Sequence, residues 1–161
     1  MGNVPKLFYM VGLPGSGKST IAKLISKQYH AEVFSSDALR EELYGDIDDK
    51  KHNQEVFAEL HRRIKVCLKS SKDVVYDACN ISSKRRMAFL REIKNIPCKK
   101  VCVIAAIPYE ACLENNLKRN RHVPQWAIKR MYRQWNTPYW FEGWDDIRLD
   151  YGSYNKRSVQ G

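Results

Sequence analysis

Residues 12–20, Gly12-Leu13-Pro14-Gly15-Ser16-Gly17-Lys18-Ser19-Thr20, fit the pattern G-x-x-x-x-G-K-[ST]. Such a loop wraps the phosphates of a nucleotide with its backbone N–H groups. Glycine lets that backbone approach oxygen atoms closely and take turns closed to other residues. Lys18 places a point charge near the β- and γ-phosphates, and the Ser19 hydroxyl can ligate Mg²⁺. A helix that starts here aims its positive end at the same anion. With glycine at about 7% of residues, the four fixed positions coincide by chance at roughly 4 × 10⁻⁵ per site, so accident does not explain the match. The loop is expected to bind ATP or another nucleoside triphosphate.

Further residues carry groups that a phosphoryl transfer needs. Carboxylates beside a triphosphate repel it unless a cation or a transferable proton intervenes, and Asp37 and Asp77 are two of them. Asp37 can serve as general base toward an attacking hydroxyl, or as a helix N-cap or first-turn acid favoured by the dipole. Asp77 can orient Mg²⁺ or its water shell, or end a strand as a turn residue. Arg40 stands three residues after Asp37 on the same helix face. Its guanidinium can grip a phosphate of the acceptor, or lie in solvent. Asn80 holds its own turn or meets the substrate. Lys118-Arg119-Asn120-Arg121-His122 reads as a mobile lid whose arginines offset transition-state charge, or as a helix end favoured by its dipole. Arg85-Arg86 reads as a helix-surface feature.

These groups must be positioned by strands and helices. Lys6 to Val11 reads as a buried strand leading into the loop, with Ile21, Leu24 and Ile25 following at helical spacing. A strand over 31–36 and a helix from Ala38 to Tyr44 come next, with Ser36-Asp37 as its cap. Val56, Leu60, Ile64 and Leu68 recur every four positions in a long amphipathic helix over 50–69. A third strand covers 73–77, a helix opens at Ile81-Ser82-Ser83 and runs to Asn95, and an apolar strand spans 100–107. Tyr109 to Lys118 is helical, Pro124 starts a last helix at a position proline favours, and Asp146 to Leu149 is a short final strand. Strands alternating with helices predict an α/β fold with a parallel sheet covered on both faces. Ligands then sit beyond the carboxyl ends of the strands, which is where residues 12–20, 35–37 and 77–80 fall.

The chain has 161 residues, enough for one domain with its own core. That domain is expected over 1–150, with 151–161 a polar tail that frays or begins a linker. Hydrophobic content of 43% with 29% charged residues describes a soluble protein. No apolar run approaches the ~20 residues that span a bilayer, and the N-terminus lacks the apolar core of a signal peptide. Five cysteines form no C-x-x-C pair, which argues against a zinc site or disulfide framework. They read as core thiols in a reducing, cytoplasmic setting. Net charge is +10, from 28 Lys and Arg against 18 Asp and Glu, and nucleic acid is the obvious partner for it.

Together the segments 12–20, 35–40, 74–80 and 84–86 resemble the kinase domain of the 5′-hydroxyl polynucleotide kinases. Ile96-Pro97-Cys98, Val123-Pro124, Met131-Tyr132-Arg133 and the closing Glu142-Gly143-Trp144-Asp145-Asp146-Ile147 extend the likeness to about residue 150. The resemblance implies a P-loop kinase-like three-layer fold, with a central, mainly parallel sheet and an Arg-bearing lid. It implies transfer of the γ-phosphate of ATP, with Mg²⁺, to the 5′-OH end of DNA or RNA. Asp37 becomes the general base, Arg40 the clamp on the acceptor's phosphate, Lys18 the γ-phosphate contact and Ser19 the Mg²⁺ ligand. Arg119 becomes a lid arginine on the ATP phosphates. Two positions depart from the family pattern: Cys79 stands where a threonine is common, and Asn115 stands where a lid arginine is common, so that Arg121 or Lys118 must compensate.

The same pattern also occurs in kinases of other hydroxyl acceptors, such as seryl-tRNA or a small metabolite, and the fold does not separate them. Trp126, Trp135, Tyr139, Trp140, Phe141 and Trp144 either stack nucleic-acid bases or, as expected for most of them, pack the last helix onto the sheet.

Overall fold

The computed structural model describes residues 3–154. Part of the expected tail, residues 155–161, lies outside the described residues. Five strands, β1 (Lys6–Val11), β2 (Glu32–Ser35), β3 (Val74–Asp77), β4 (Lys99–Ala105) and β5 (Asp146–Asp150), form one sheet in the order β2-β3-β1-β4-β5. Every strand pairing in it is parallel. The helices are α1 (Lys18–Tyr29), α2 (Ser36–Tyr44), α3 (Asn53–Lys69), α4 (Ser83–Glu92), α5 (Tyr109–Lys118) and α6 (Gln125–Arg133). A 3₁₀ turn over Trp140–Glu142 precedes β5 and was not foreseen from sequence.

The three layers follow from the period-2 alternation of the central strand. Leu7, Tyr9 and Val11 face a core shared with Leu39 of α2, with Val56, Leu60 and Ile64 of α3 and with Phe89 of α4. Phe8 and Met10 face the opposite core, with Ile21 and Ala22 of α1. Because both faces are covered, β1 and β3 are buried along nearly their whole length. The chain leaves β1 toward β3 and β2, then crosses over β1 to β4. This reversal opens a crevice at the carboxyl end of β1.

Several expectations need correction. Leu24 is exposed rather than core-facing, because Ile21 and Ala22 already fill the α1 stripe. Helix α2 begins at Ser36, and its N-cap is Ser35, whose hydroxyl accepts from the Ala38 N–H at 3.2 Å. Asp37 therefore lies inside the first turn, with its carboxylate free for other partners. Helix α3 starts at Asn53 and α4 ends at Glu92. Arg86 is fully buried instead of lying on a helix surface. Trp144 is buried, but Trp126, Tyr139, Trp140 and Phe141 are exposed and do not pack on the sheet. Cys67, Cys98, Cys102 and Cys112 are buried thiols as expected, and Cys79 is half-buried.

Candidate active site

The loop over 12–17 is shaped by its neighbours as well as by its glycines. Gly15 and Gly17 adopt φ of +81° and +84°, a region that side chains disfavour. A Cβ on Gly15 would lie 2.3 Å from the Cys112 carbonyl oxygen in α5, and one on Gly12 would lie 2.6 Å from the Ser16 hydroxyl. The Gly12 N–H donates to the Cys79 carbonyl at 3.0 Å, and the Asn115 amide donates to the Gly15 carbonyl at 3.0 Å. So Asn115, where the resemblance leads one to expect an arginine, braces the loop instead. The Ser16 hydroxyl is buried without a partner. An unmatched donor inside a narrow cradle at the start of α1 fits phosphate oxygens.

The ends of β2 and β3 come to the same place through register, since Ser35 pairs with Asp77 across the two strands. Asp77 is the last residue of β3, and its Oδ2 accepts from the Ser19 hydroxyl at 3.0 Å. Burial pushes the Asp77 carboxyl up, and Lys18 and the Ser19 hydroxyl oppose this without cancelling it. Among the described residues no group of three His, Cys, Asp or Glu could hold a metal by itself. A hydroxyl and one carboxylate fit Mg²⁺ that takes its remaining ligands from phosphate and water. Asn80, at φ +53°, donates to the Met10 carbonyl at 2.8 Å. It holds the turn against β1, which is the structural one of its two readings.

Asp37 stands between two guanidinium groups. Arg40 Nη1 donates to its Oδ1 at 2.8 Å, and Arg121 Nη1 reaches its Oδ2 at 3.5 Å. Arg40 is buried, with its Nε unpartnered and its guanidinium over the Phe57 ring. A second arm of Arg121 binds Asp48 at 2.5 Å, in the loop before α3. The Arg121 hydrogen bond holds the Asp48 carboxyl below its usual range. Burial lowers the Lys50 ammonium, and the charges acting on it next are those of Arg40 and Asp37. Arg40 and Arg121 thus flank Asp37, with Lys50 close enough to feel its charge. Lys50 was missed in the sequence because a lone lysine in a loop carries no spacing signal.

The basic patch divides in the structure. Arg119 is the C-cap of α5 and is exposed. Arg121 turns inward to Asp37 and Asp48. Asn116 closes the bend between them, its side chain exchanging hydrogen bonds with the Val123 carbonyl at 2.8 Å and the Val123 N–H at 3.0 Å.

A buried pair supports the whole arrangement. Arg86 donates to Glu142 from Nε and Nη2, while Nη2 also donates to the Asn136 carbonyl at 2.8 Å and Nη1 to the Asn80 carbonyl at 2.9 Å. Burial would raise the Glu142 carboxyl, but hydrogen bonds from Arg86, Ser83 and Trp144 outweigh it and hold the group low. Arg86 therefore ties the segment after α6 to the turn that carries Asn80.

Comparison with known proteins agrees with this architecture. The chain is 26% identical over 151 residues to an L-seryl-tRNA(Sec) kinase of Methanococcus maripaludis, covering 89% of this chain and 58% of that protein. A chain in the structure of the Pnkp1/Rnl/Hen1 RNA repair complex superposes with a TM-score of 0.73 at 23% identity, covering 83% of this chain and 45% of that one. A fungal RNA kinase superposes with a TM-score of 0.71 at 12% identity, covering 99% of this chain and 43% of that one. At these identities the two structures share the fold. The present chain thus spans about half the length of these three proteins. No described helix is long and apolar enough to cross a membrane. The family described as AAA domain, AAA_33, matches residues 7–138, and with the P-loop cradle built as it is, the chain belongs to that family.

Proposed function

We propose that this chain transfers the γ-phosphoryl group of ATP to the 5′-hydroxyl end of a polynucleotide. The observation that carries the reading is the pairing of Asp37 with the buried Arg40 at the mouth of the nucleotide cradle. A kinase needs a group to take the proton of the attacking hydroxyl, and Asp37 is within the cleft on a rigid first turn. Arg40 has an unpartnered buried N–H, and Arg40, Lys50 and Arg121 are three cations against the two carboxylates of Asp37 and Asp48. An acceptor that brings its own phosphate next to its hydroxyl satisfies both.

In this reading the 5′ oxygen attacks the γ-phosphorus, its proton passes to Asp37, and the bond from the γ-phosphorus to the β–γ bridging oxygen breaks, releasing ADP. Gly12 to Thr20 hold the triphosphate, with Lys18 on its β- and γ-oxygens. Mg²⁺, when bound, neutralises charge on those oxygens, and Ser19 and Asp77 would hold it. Arg40 grips the acceptor phosphate, which orients the hydroxyl toward Asp37. Asn80 keeps the turn beside the acceptor in place. Arg119 and Arg121 close over the phosphates of ATP and exclude water, for which Arg121 must leave Asp48.

The three similar proteins are named for RNA or tRNA, and the +10 charge supports a polyanionic acceptor. The relative named as an L-seryl-tRNA(Sec) kinase also favours a second reading, a hydroxyl presented on tRNA rather than at a 5′ end. Incubation with ATP, Mg²⁺ and, in parallel, seryl-tRNA or matched oligonucleotides bearing 5′-OH or 5′-phosphate decides between them. Phosphate incorporated only into the 5′-OH strand supports the proposal. Incorporation into seryl-tRNA and into neither oligonucleotide would sink it.

A further inference from the structure

From Asn115 to Phe141 the chain contains no Asp or Glu, yet it carries Lys118, Arg119, Arg121, Lys129, Arg130 and Arg133. Among the described residues only Arg121 of these forms an ion pair. The same stretch holds most of the exposed aromatics among the described residues: Trp126 at 66%, Trp140 at 63% and Phe141 at 80% relative exposure, with Tyr132 and Tyr139 also exposed. On α6, Trp126, Arg130 and Arg133 recur at i, i+4 and i+7 and so share one face, while Ile128 alone is fully buried. The Arg130 guanidinium lies 5.5 Å above the Trp126 ring. The rings of Tyr139 and Phe141 are stacked at 5.3 Å. Clustered large apolar groups left in water mark a contact surface more often than scattered ones do.

The surface is fixed to the cleft at both ends. Before α6, Arg121 holds Asp37, and Asn116 clamps Val123. After α6, the Asn136 N–H donates to the Ile81 carbonyl at 3.0 Å, and its side chain accepts from the Ser83 N–H at 3.1 Å. Helix α6 therefore spans the rim from the residue beside Asp37 to the turn beside Asn80.

We infer that α6 and the 139–141 segment form a docking track for the single-stranded body of the acceptor, downstream of the 5′ end that enters the cleft. This inference rests on the proposed acceptor. Unpaired cations interleaved with exposed rings match a polyanion with stackable bases. A second copy docking through the same face would leave these cations without acids opposite them, since the stretch offers none of its own for reciprocal pairing.

The test measures kcat and KM for 5′-OH RNA strands of two, six and twelve nucleotides, at several salt concentrations. In the wild type KM should fall about tenfold or more from the shortest strand to the longest. A triple variant, Trp126→Ala with Arg130→Ala and Arg133→Ala, should lose that gain with kcat and the dinucleotide KM unchanged. Its logarithmic salt slope on the longest strand should be shallower by about 1.4, or 0.7 for each of two phosphate contacts. A second variant, Tyr139→Ser with Phe141→Ser, should lose part of the length gain without altering the salt slope. Full retention of length dependence in both variants would overturn the track. No transfer at any length by the wild type would overturn the acceptor reading itself, and the track with it.

Discussion

The Ser19 hydroxyl donates to Asp77 across 3.0 Å, joining the first turn of α1 to the last residue of β3. The contact exists because β1 and β3 are adjacent parallel strands that end at the same level. It makes one site from residues 58 positions apart.

Burial raises the Asp77 carboxyl, so at neutral pH the ionised form costs the empty protein stability. The sign follows from linkage: an acid whose folded pKa exceeds its unfolded value stabilises the fold below the unfolded pKa, and loses that contribution as pH rises through the folded pKa. Asp77→Asn should therefore raise Tm at pH 7, with the gain vanishing at pH values low enough to protonate Asp77 in both states. Phosphoryl transfer should be lost in the same variant. A lower Tm at pH 7 would show that the charge is well compensated without Mg²⁺.

Much of this was legible in the sequence, and the gaps have physical causes. The motif over 12–20 and the runs ending at Ser35 and Asp77 located the cleft, because apolar strands have a period and phosphate loops have fixed glycines. Arg86 was misread as surface because a charged residue on a helix is normally solvated. Its partner Glu142 is 56 residues away, and no local pattern announces such a pair. The bracing role of Asn115 was hidden for the same reason: its partner, the Gly15 carbonyl, is 100 residues away. The split of Arg119 from Arg121 depends on the bend closed by Asn116, which spacing does not fix.

Gly15 is the loop position least open to change. In Gly15→Ala the left-handed backbone costs about 1–2 kcal/mol, and the new Cβ meets the Cys112 carbonyl. Gly17→Ala carries similar backbone strain, but nothing lies within 4 Å of its Cβ. Thermal melts should show a clearly larger fall in Tm for Gly15→Ala. Equal falls would mean that α5 yields to the intruding methyl at no cost.

The Arg86–Glu142 pair is fully buried, so removing one partner strands the other charge. Arg86→Met should destabilise the protein by about 3–5 kcal/mol, which for a chain of this size lowers Tm on the order of 10 °C. Replacing both residues by apolar ones should recover part of this loss, while the lost hold on the Asn80 carbonyl keeps kcat/KM depressed. Recovery of full activity in the double variant would remove Arg86 from the positioning of that turn.

The central claim is that Asp37 takes the proton of an attacking 5′-hydroxyl. The most direct measurement compares wild type and Asp37→Asn for transfer of radiolabelled γ-phosphate from ATP with Mg²⁺ to a 5′-OH oligonucleotide, as DNA and as RNA, alongside equilibrium ATP binding. The account predicts label in the wild-type product only, a kcat loss of at least about 10²-fold in the variant, and ATP affinity unchanged within a few-fold. Comparable transfer by both proteins would contradict it.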